Sequence, residues 1–453
     1  MDGISGFAGR VITPRHDEYE QARRIWNGAI DRKPAMIARC SGTADVVAAL
    51  RHARDRGLEV AVRGGGHGVG GAAVCDDGLV VDLSDLRGVE VDPAERRVTA
   101  QGGALWGDVD DATQRYGLAT TGGIVTHTGI AGLTLGGGIG WLMREHGMTV
   151  DNLTSAVVVT AEGAVAVAGE CEEPELFWAL RGGGGNFGVV TSFTYRLHEV
   201  GPVVLCGPVF WALEDAPEVL RAYRDFAAAA PDELTTIVKL GPAPALPIVP
   251  PELRGRLVCS ISSCWSGDLS AGELALAPLS GIGTPVLDLL RPRPYGELQR
   301  LQDPTVPHGW HYYWRSGEVP ALPDGLIDTL VEHTARIASP RSYTLLFQLG
   351  GAVSRVPANA TAYAHRSAGF AININGVWLP QEPIADAETA WVRQLYAAVE
   401  PYQSGVYVNF LGDEGQDRVR AAYGEATYAR LAEVKRRFDP DNIFHRNQNI
   451  LPA

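Results

Sequence analysis

Residues 63–71 have the sequence Arg-Gly-Gly-Gly-His-Gly-Val-Gly-Gly, and two further glycine-rich stretches, 120–140 and 182–188, follow in the same half of the chain. Glycine has no Cβ atom, so it lets several backbone N–H groups converge on one anion. A single stretch of this kind can be a tight turn. Three of them predict a cradle for a phosphate-containing ligand, with His67 flanked by glycine and facing that ligand.

The stretch 183–188 matches the Gly-x-Gly-x-x-Gly pattern of dinucleotide-binding folds, which requires a strand before it and a helix after it. Here the order is reversed. Apolar spacing predicts a helix over 174–180 and a strand over 189–197. We therefore exclude an NAD-binding Rossmann fold.

The rest of the first 200 residues alternates short strands with helices. Val46, Val47, Leu50 and Ala53 recur at helical spacing and Gly57 follows, which predicts a helix over 43–56. The other predictions for this part are strands at 58–62 and 79–83, hairpins at 88–101 and 155–167, and a helix over 106–116.

After residue 200 the glycine-rich loops disappear and Pro, Trp and Tyr become more frequent. The pattern predicts an α+β domain in which helices back a sheet. Strands are predicted at 234–240, 255–265, 343–350, 370–378 and 405–410. Helices are predicted at 215–229, 322–337, 386–399 and 427–437.

Composition excludes several classes of protein. The chain has 453 residues and a net charge of −14, with no basic stripe, so nucleic acid is not an expected partner. No apolar run of 18 or more residues and no signal-peptide core occurs, which predicts a cytoplasmic protein without a membrane partner. The six cysteines form no Cys-x-x-Cys pair, so reduced cysteines in the core and no metal site are expected.

Several motifs together resemble one family. They are 63–68, Gly132-Leu-Thr-Leu-Gly-Gly-Gly138, 151–153 and Trp178-Ala-Leu-Arg-Gly-Gly-Gly-Gly-Asn-Phe-Gly188. These resemble the FAD domain of the vanillyl-alcohol oxidase and p-cresol methylhydroxylase superfamily. Tyr407-Val-Asn409 and 439–444 resemble its berberine-bridge-enzyme-like branch. The resemblance implies an α+β fold: a two-subdomain FAD-binding domain (1–200), an antiparallel-sheet substrate domain backed by helices (201–404), and a C-terminal segment (405–453) that returns to the FAD domain.

The resemblance also implies roles for individual residues. His67 would bond covalently to the 8α-methyl carbon of FAD, since neutral imidazole is a competent nucleophile. The implied cofactor-binding residues are Arg63, Gly64, Gly65, Gly66, His67, Gly68, Val69, Gly71, Gly123, Val125, Thr126, Thr128, Gly129, Gly132, Leu133, Gly136, Gly137, Gly138, Gly140, Asn152, Val159, Gly185, Gly188, Val190, Tyr407 and Asn409.

One position departs from the family pattern. Many members attach the flavin a second time, through a cysteine in a Gly-x-Cys-Pro-x-Val-Gly motif. The stretch 123–129 aligns with that motif and Val125 stands at the cysteine position. Valine cannot form a thioether, so a single covalent link is expected.

The implied reaction is hydride transfer from a substrate C–H to the flavin, with a base removing a proton. Tyr407 is the first candidate base, and packing against the flavin is an equal alternative for it. His127 is a second catalytic candidate, although a loop histidine is more often structural. Gln348 and His365 are candidate substrate contacts, and the aromatic stretch 308–314 is a candidate pocket wall or ordinary packing.

The expected function is oxidation of a small organic alcohol or amine, with O2 as the electron acceptor and H2O2 as the product. The small side chain of Thr128, near where relatives control oxygen access, favours an oxidase. A dehydrogenase of the same fold with another acceptor, and a flavin-binding protein without turnover, are the alternatives.

Overall fold

The computed structural model describes residues 3–412 and 414–453. Its first sheet has four strands in the order β1-β2-β4-β3. They are β1 (Arg10–Ile12), β2 (Met36–Arg39), β3 (Val60–Arg63) and β4 (Leu79–Asp82). Helix α2 (Thr43–Arg56) packs Val46, Leu50 and Ala53 into the core of this layer and ends at Gly57, whose φ is +61°. Its predicted bounds are confirmed.

The second sheet has five antiparallel strands in the order β5-β6-β10-β8-β9. They are β5 (Val89–Asp92), β6 (Arg97–Gln101), β8 (Leu153–Val159), β9 (Val165–Gly169) and β10 (Val189–Arg196). Helix α7 (Pro174–Leu180) precedes the third glycine-rich stretch and β10 follows it. The order of elements that excluded a Rossmann fold is therefore confirmed.

Seven short helices and strands lie in the segments within, between and after these two sheets. They are β7 (Leu118–Ala119), β11 (His198–Glu199), α1 (Tyr19–Ala22), α3 (Trp106–Thr113), α4 (Ile130–Gly136), α5 (Met143–His146) and α6 (Thr149–Asn152). Helix α3 continues as a 3₁₀ turn to Tyr116, so the predicted helix over 106–116 is confirmed.

The third sheet is antiparallel and has the order β15-β12-β14-β13-β18-β19-β17, with β16 also paired to β12. Its strands are β12 (Val203–Ala212), β13 (Leu234–Pro242), β14 (Leu257–Trp265), β15 (Leu287–Asp288), β16 (Arg291–Pro294), β17 (His311–Val319), β18 (Tyr343–Gln348) and β19 (Phe370–Trp378). Four helices pack on one face of it: α8 (Ala216–Ala228), α9 (Leu269–Ser280), α11 (Asp324–Thr334) and α13 (Ala385–Val399). Helices α10 (Tyr295–Arg300) and α12 (Ala352–Arg355) lie in its connections.

The two faces of this sheet have different neighbours. Val238 and Leu240 of β13 lie in the core beneath the helices. Ile237, the residue before Val238, packs with Trp141 and Met148 of the N-terminal half. Alternation along the strand therefore turns one face of the sheet toward the glycine-rich loops. The predicted α+β fold with a helix-backed antiparallel sheet is confirmed, and the exact domain boundaries stay a prediction.

The C-terminal segment corrects one sequence prediction. Residues 405–410 were expected to form a strand, yet Val408–Phe410 is a 3₁₀ turn and Gly405 makes only a single bridge to Glu318. The apolar alternation of this stretch has another cause, since its side chains pack against the glycine-rich loops. Helices α14 (Gln416–Tyr423) and α15 (Glu425–Phe438) follow, and the second matches the helix predicted at 427–437.

Two expectations from composition can be compared with the structure. All six cysteines are free, and all but Cys171 are buried. Within residues 3–412 and 414–453, no helix is long and apolar enough to cross a membrane.

Candidate functional site

A cavity of about 610 Å³ lies between the glycine-rich loops and the face of the large sheet that carries no helices. Its volume falls in the range of about 300–1,000 Å³ that is common for ligand sites. The sequence-predicted residues that line it are Gly64, Gly65, Gly66, His67, Gly68, Val69, Gly123, Val125, Thr128, Gly129, Gly132, Leu133, Gly185, Gly188, Val190, Tyr407 and Asn409. The structure thus brings together residues that span most of the chain.

One wall of the cavity is backbone. A Cβ atom on Gly65 would lie 2.4 Å from the backbone nitrogen of Gly129, and one on Gly129 would lie 2.3 Å from that of Gly65. Gly188 has φ +150° and approaches the carbonyl of Val159 equally closely. Only glycine permits these approaches. A Cβ on Gly132 or Gly185 would instead meet almost nothing, since these residues border open space.

His67 lies at the centre of this wall. Its ring stacks on Trp26, with centroids 4.3 Å apart, and the ring of His127 lies 5.1 Å away. The Nε2 atom of His67 is buried and has no hydrogen-bond partner in the described part of the chain. Burial, and then the neighbouring His127 and His308, hold the pKa of His67 well below its usual value. At neutral pH this imidazole is therefore uncharged and keeps a free lone pair.

His127 itself does not line the cavity. It lies between His67 and His308, 5.0 Å from the latter, and neither of its ring nitrogens has a partner among the described residues. Burial lowers the pKa of His127, so it is neutral at pH 7.

Tyr407 reaches the glycine-rich loops from the C-terminal segment. Its hydroxyl oxygen accepts hydrogen bonds from the backbone N–H of Gly138 (2.7 Å) and from the Nδ2 of Asn409 (2.9 Å). Burial raises the pKa of Tyr407 to about 12, although these two donors favour the phenolate. Asn409 also donates to the carbonyl of Leu133.

The opposite wall consists of side chains from the large sheet. Trp314 pairs with Asn375 across β17 and β19, and Asn375 pairs with Tyr343 across β18. Paired residues share a face of the sheet. Phe347 and Phe410 complete an aromatic wall, their ring centroids 5.6 Å apart.

Several sequence-predicted residues lie behind the cavity rather than on its surface: Arg63, Gly71, Thr126, Gly136, Gly137, Gly138, Gly140, Asn152 and Val159. Arg63 forms a buried ion pair with Asp82 and so anchors the start of the first loop. Asn152 donates to the carbonyls of His146 and Met148. These contacts hold the loops in place.

The two predicted substrate contacts, Gln348 and His365, do not line the cavity. Gln348 alternates onto the helix-backed face of β18, where it bonds Thr236 and the carbonyl of Ala227. His365 packs against Gly405, and its buried Nε2 has no hydrogen-bond partner among the described residues. Sequence position alone did not show which face of the strand Gln348 occupies.

Sequence reasoning missed five cavity-lining residues of the sheet wall and two from other parts of the chain: Tyr343, Leu345, Phe347, Asn373 and Asn375, and Trp26 and Phe410. It flagged the stretch 308–314, which contains Trp314, only as one of two alternatives. The usable signal was the alternation within β18 and β19, in which every second residue of 343–347 and 373–375 faces the cavity.

Comparison with known proteins identifies the family to which this chain belongs. Residues 34–169 match the family model of the FAD binding domain, and residues 406–451 match that of berberine and berberine-like proteins. An FAD-linked oxidoreductase of Dictyostelium discoideum is 31% identical over 449 residues, which cover 98% of this chain and 95% of that protein. The chain belongs to the berberine-bridge-enzyme-like FAD-linked oxidoreductases.

Two further members of this family are similar along their whole length. (R)-6-hydroxynicotine oxidase of Paenarthrobacter nicotinovorans is 31% identical, with 98% of this chain and 97% of that protein covered. The crystal structure of 6-hydroxy-D-nicotine oxidase from Arthrobacter nicotinovorans superposes with a TM-score of 0.88 at 29% identity, with 99% and 98% of the two chains covered. The protein is accordingly an FAD-linked oxidoreductase.

The cavity fits the cofactor of the family. Among the described residues, glycines border open space, the Nε2 of His67 has no partner, and no Asp or Glu lines the cavity. These features suit an anionic dinucleotide. Among the described residues there is no group of three or more His, Cys, Asp or Glu side chains that could hold a metal ion.

Proposed function

We propose that this enzyme holds FAD covalently through His67 and oxidises a small organic alcohol or amine, with O2 as electron acceptor and H2O2 as product. The observation that carries the proposal is the buried, partnerless Nε2 of His67 within a glycine-rich, cavity-lining loop. Bound FAD supplies the chemistry of two-electron hydride acceptance and reoxidation by oxygen.

His67 is prepared as a nucleophile by its surroundings. Its lowered pKa keeps the imidazole neutral, and stacking on Trp26 fixes the ring plane. His67 would hold the 8α-methyl carbon of FAD through Nε2, with the N–H proton of the imidazole and one methyl hydrogen, together with two electrons, passing to O2 as H2O2.

The proposed enzyme attaches FAD by one covalent bond, through His67. Val125 lines the cavity and carries no thiol, and none of the six cysteines lies on the cavity surface of the described chain. Among the described residues, no side chain that lines the cavity can therefore supply a sulfur for a second attachment beside the one through His67.

We assign Tyr407 as the group that takes up the substrate proton. It lines the cavity, and two N–H donors at its oxygen stabilise the phenolate. Burial opposes ionisation and raises the pKa of Tyr407 to about 12, so the reactive form becomes more abundant with rising pH. His127 lies beside His67 and does not touch the cavity, and burial is the main cause that keeps His67 uncharged.

The test is acid precipitation of freshly purified protein, followed by washing and a search for flavin in the pellet. Wild-type protein is expected to give a yellow pellet and His67→Ala a colourless one. His52→Ala, on the outer surface of α2, is the control and is expected to give a yellow pellet.

A colourless wild-type pellet with flavin in the supernatant would overturn covalent attachment and leave FAD binding intact. With attachment established, reoxidation of the reduced enzyme in air is the test of O2 as acceptor. Reoxidation in air much slower than turnover would favour a dehydrogenase with another acceptor.

A further inference from the structure

Lys239 differs from the other lysines of this chain. Of the 39 basic residues only three are lysine. Lys33 is exposed on the surface. Lys435 is fully buried and satisfied, because it pairs with Asp439 and donates to the carbonyls of Asn186 and Phe444. Lys239 is half-buried and has no ion pair or hydrogen bond within the described residues.

The position of Lys239 in β13 turns it toward the cavity side of the large sheet. Val238 and Leu240, its neighbours in sequence, lie in the core beneath the helices, so alternation places Lys239 on the opposite face. It pairs with Leu345 of β18, which in turn pairs with Asn373 of β19. Leu345 and Asn373 both line the cavity, and Lys239 continues their row.

An aromatic ring lies directly beneath the ammonium group. The Nζ atom of Lys239 is 4.5 Å from the centroid of the Tyr343 ring, and Tyr343 lines the cavity. This cation–π contact fixes the ammonium without neutralising it. The ammonium has no counter-ion among the described residues, and Lys239 lies one strand beyond the cavity-lining residue Leu345.

The same face offers hydrogen-bond donors that have no acceptor. The Nδ2 of Asn373 and the Nε1 of Trp314 are buried and partnerless among the described residues. Unpaired buried donors are rare in folded proteins and call for a ligand that satisfies them. None of the described residues that line the cavity is Asp or Glu, so no carboxylate among them is there to do so.

We propose that Lys239 recognises the carboxylate of an aromatic substrate, whose ring packs against Tyr343 and Phe347. Asn373 and Trp314 donate to neutral acceptor oxygens on the same molecule. Lys239 and Asn373 lie two strands apart, about 10 Å, which sets the separation of the carboxylate from the acceptor oxygen. The inference rests on the proposed function, and it selects aromatic acids over cationic amines within that function.

The experiment uses the flavin-loaded enzyme and four probes: benzoate, 2-naphthoate and the two corresponding carboxamides. Binding is followed by the change in the visible absorption of the flavin and, on the same samples, by calorimetry. Carboxylates are expected to bind at least about tenfold more tightly than their amides, the usual value of a hydrogen bond to a charged group.

Variants assign this preference to Lys239. In Lys239→Met the preference for carboxylates is expected to fall to about twofold or less, while Lys239→Arg restores part of it and Lys33→Met keeps it. Burial lowers the pKa of Lys239 to about 8, and the groups that face it, Tyr343 from β18 and Ser260 from β14, are uncharged there. Carboxylate affinity in the wild type is therefore full below pH 8 and declines above it, whereas Lys239→Met shows no such decline.

Equal affinity for acids and amides in the wild type, or a preference that survives Lys239→Met, would overturn the proposal. So would the lack of any response to the carboxylates. The flavin content of the acid-precipitated pellet is measured in parallel. A pellet that stays yellow while the carboxylate preference is absent refutes the substrate inference alone, whereas loss of flavin from the wild type refutes the proposed attachment.

Discussion

The two walls of the cavity are built on opposite principles. The wall of residues 63–69, 123–133 and 185–190 presents backbone, and its shape depends on contacts that only glycine allows, as between Gly65 and Gly129. The sheet wall presents side chains from β17, β18 and β19, among them Trp314 and Tyr343. The backbone wall suits a cofactor that is the same in every reaction cycle, and the sheet wall suits selection among substrates.

This difference implies separate consequences for substitution. A substitution in the backbone wall alters the path of two chain segments at once, because the backbones of Gly65 and Gly129 are in direct contact. A change in the sheet wall alters one side chain on a rigid antiparallel frame. We therefore expect backbone-wall variants to lose the cofactor, and sheet-wall variants to keep it while altering the handling of substrate.

The largest effect is expected from Gly65→Ala. The new Cβ would lie 2.4 Å from the backbone nitrogen of Gly129, and backbone cannot move aside as a flexible side chain can. We expect purified protein to lose most of its bound flavin, measured as the ratio of visible to ultraviolet absorbance. Gly42→Ala, where a Cβ would meet nothing within 4 Å, is the control and is expected to retain its flavin. Full flavin content in Gly65→Ala would show that the backbone wall is not the cofactor cradle.

Tyr407→Phe tests a residue that joins the two walls. If Tyr407 takes up the substrate proton, the rate of flavin reduction falls by about 10²–10⁴-fold, the usual contribution of general base catalysis, with flavin content unchanged. Because the pKa of Tyr407 is about 12 and the deprotonated form is the active one, the wild-type rate of reduction should also rise with pH between 6 and 9. Stopped-flow reduction measures both. Rates close to wild type in Tyr407→Phe would leave it only a packing role.

The smallest effect is expected from Trp314→Phe in the sheet wall. The variant keeps an aromatic ring near Phe410 but loses the indole N–H that has no partner among the described residues. Losing one hydrogen bond to substrate corresponds to about 1 kcal/mol, or a roughly fivefold rise in KM, with flavin content unchanged. Trp310→Phe, outside the cavity, is the control. A loss of flavin in Trp314→Phe would contradict the separation of the two walls.

Much of the backbone wall could be predicted from the sequence because its signals are local. The glycine clusters, the helix bounds at 43–56 and 174–180 and the position of His67 depend on neighbouring residues alone. Sequence spacing also excluded the Rossmann order of elements. The sheet wall could not be predicted in the same way, since Gln348 was assigned to the cavity while its neighbour Phe347 is the residue that lines it.

The sequence by itself determined which groups are available to this protein: clustered glycines, a histidine among them that we propose as the attachment point, and Val125 where a second attachment would need cysteine. Tertiary structure alone decided which groups meet. The hydroxyl of Tyr407 bonds Gly138 across 269 residues of chain, and Lys239 lies over Tyr343 with no counter-ion among the described residues. The physical reason is that the face a strand residue occupies follows from the register and packing of its sheet, and both are set by partners distant in sequence.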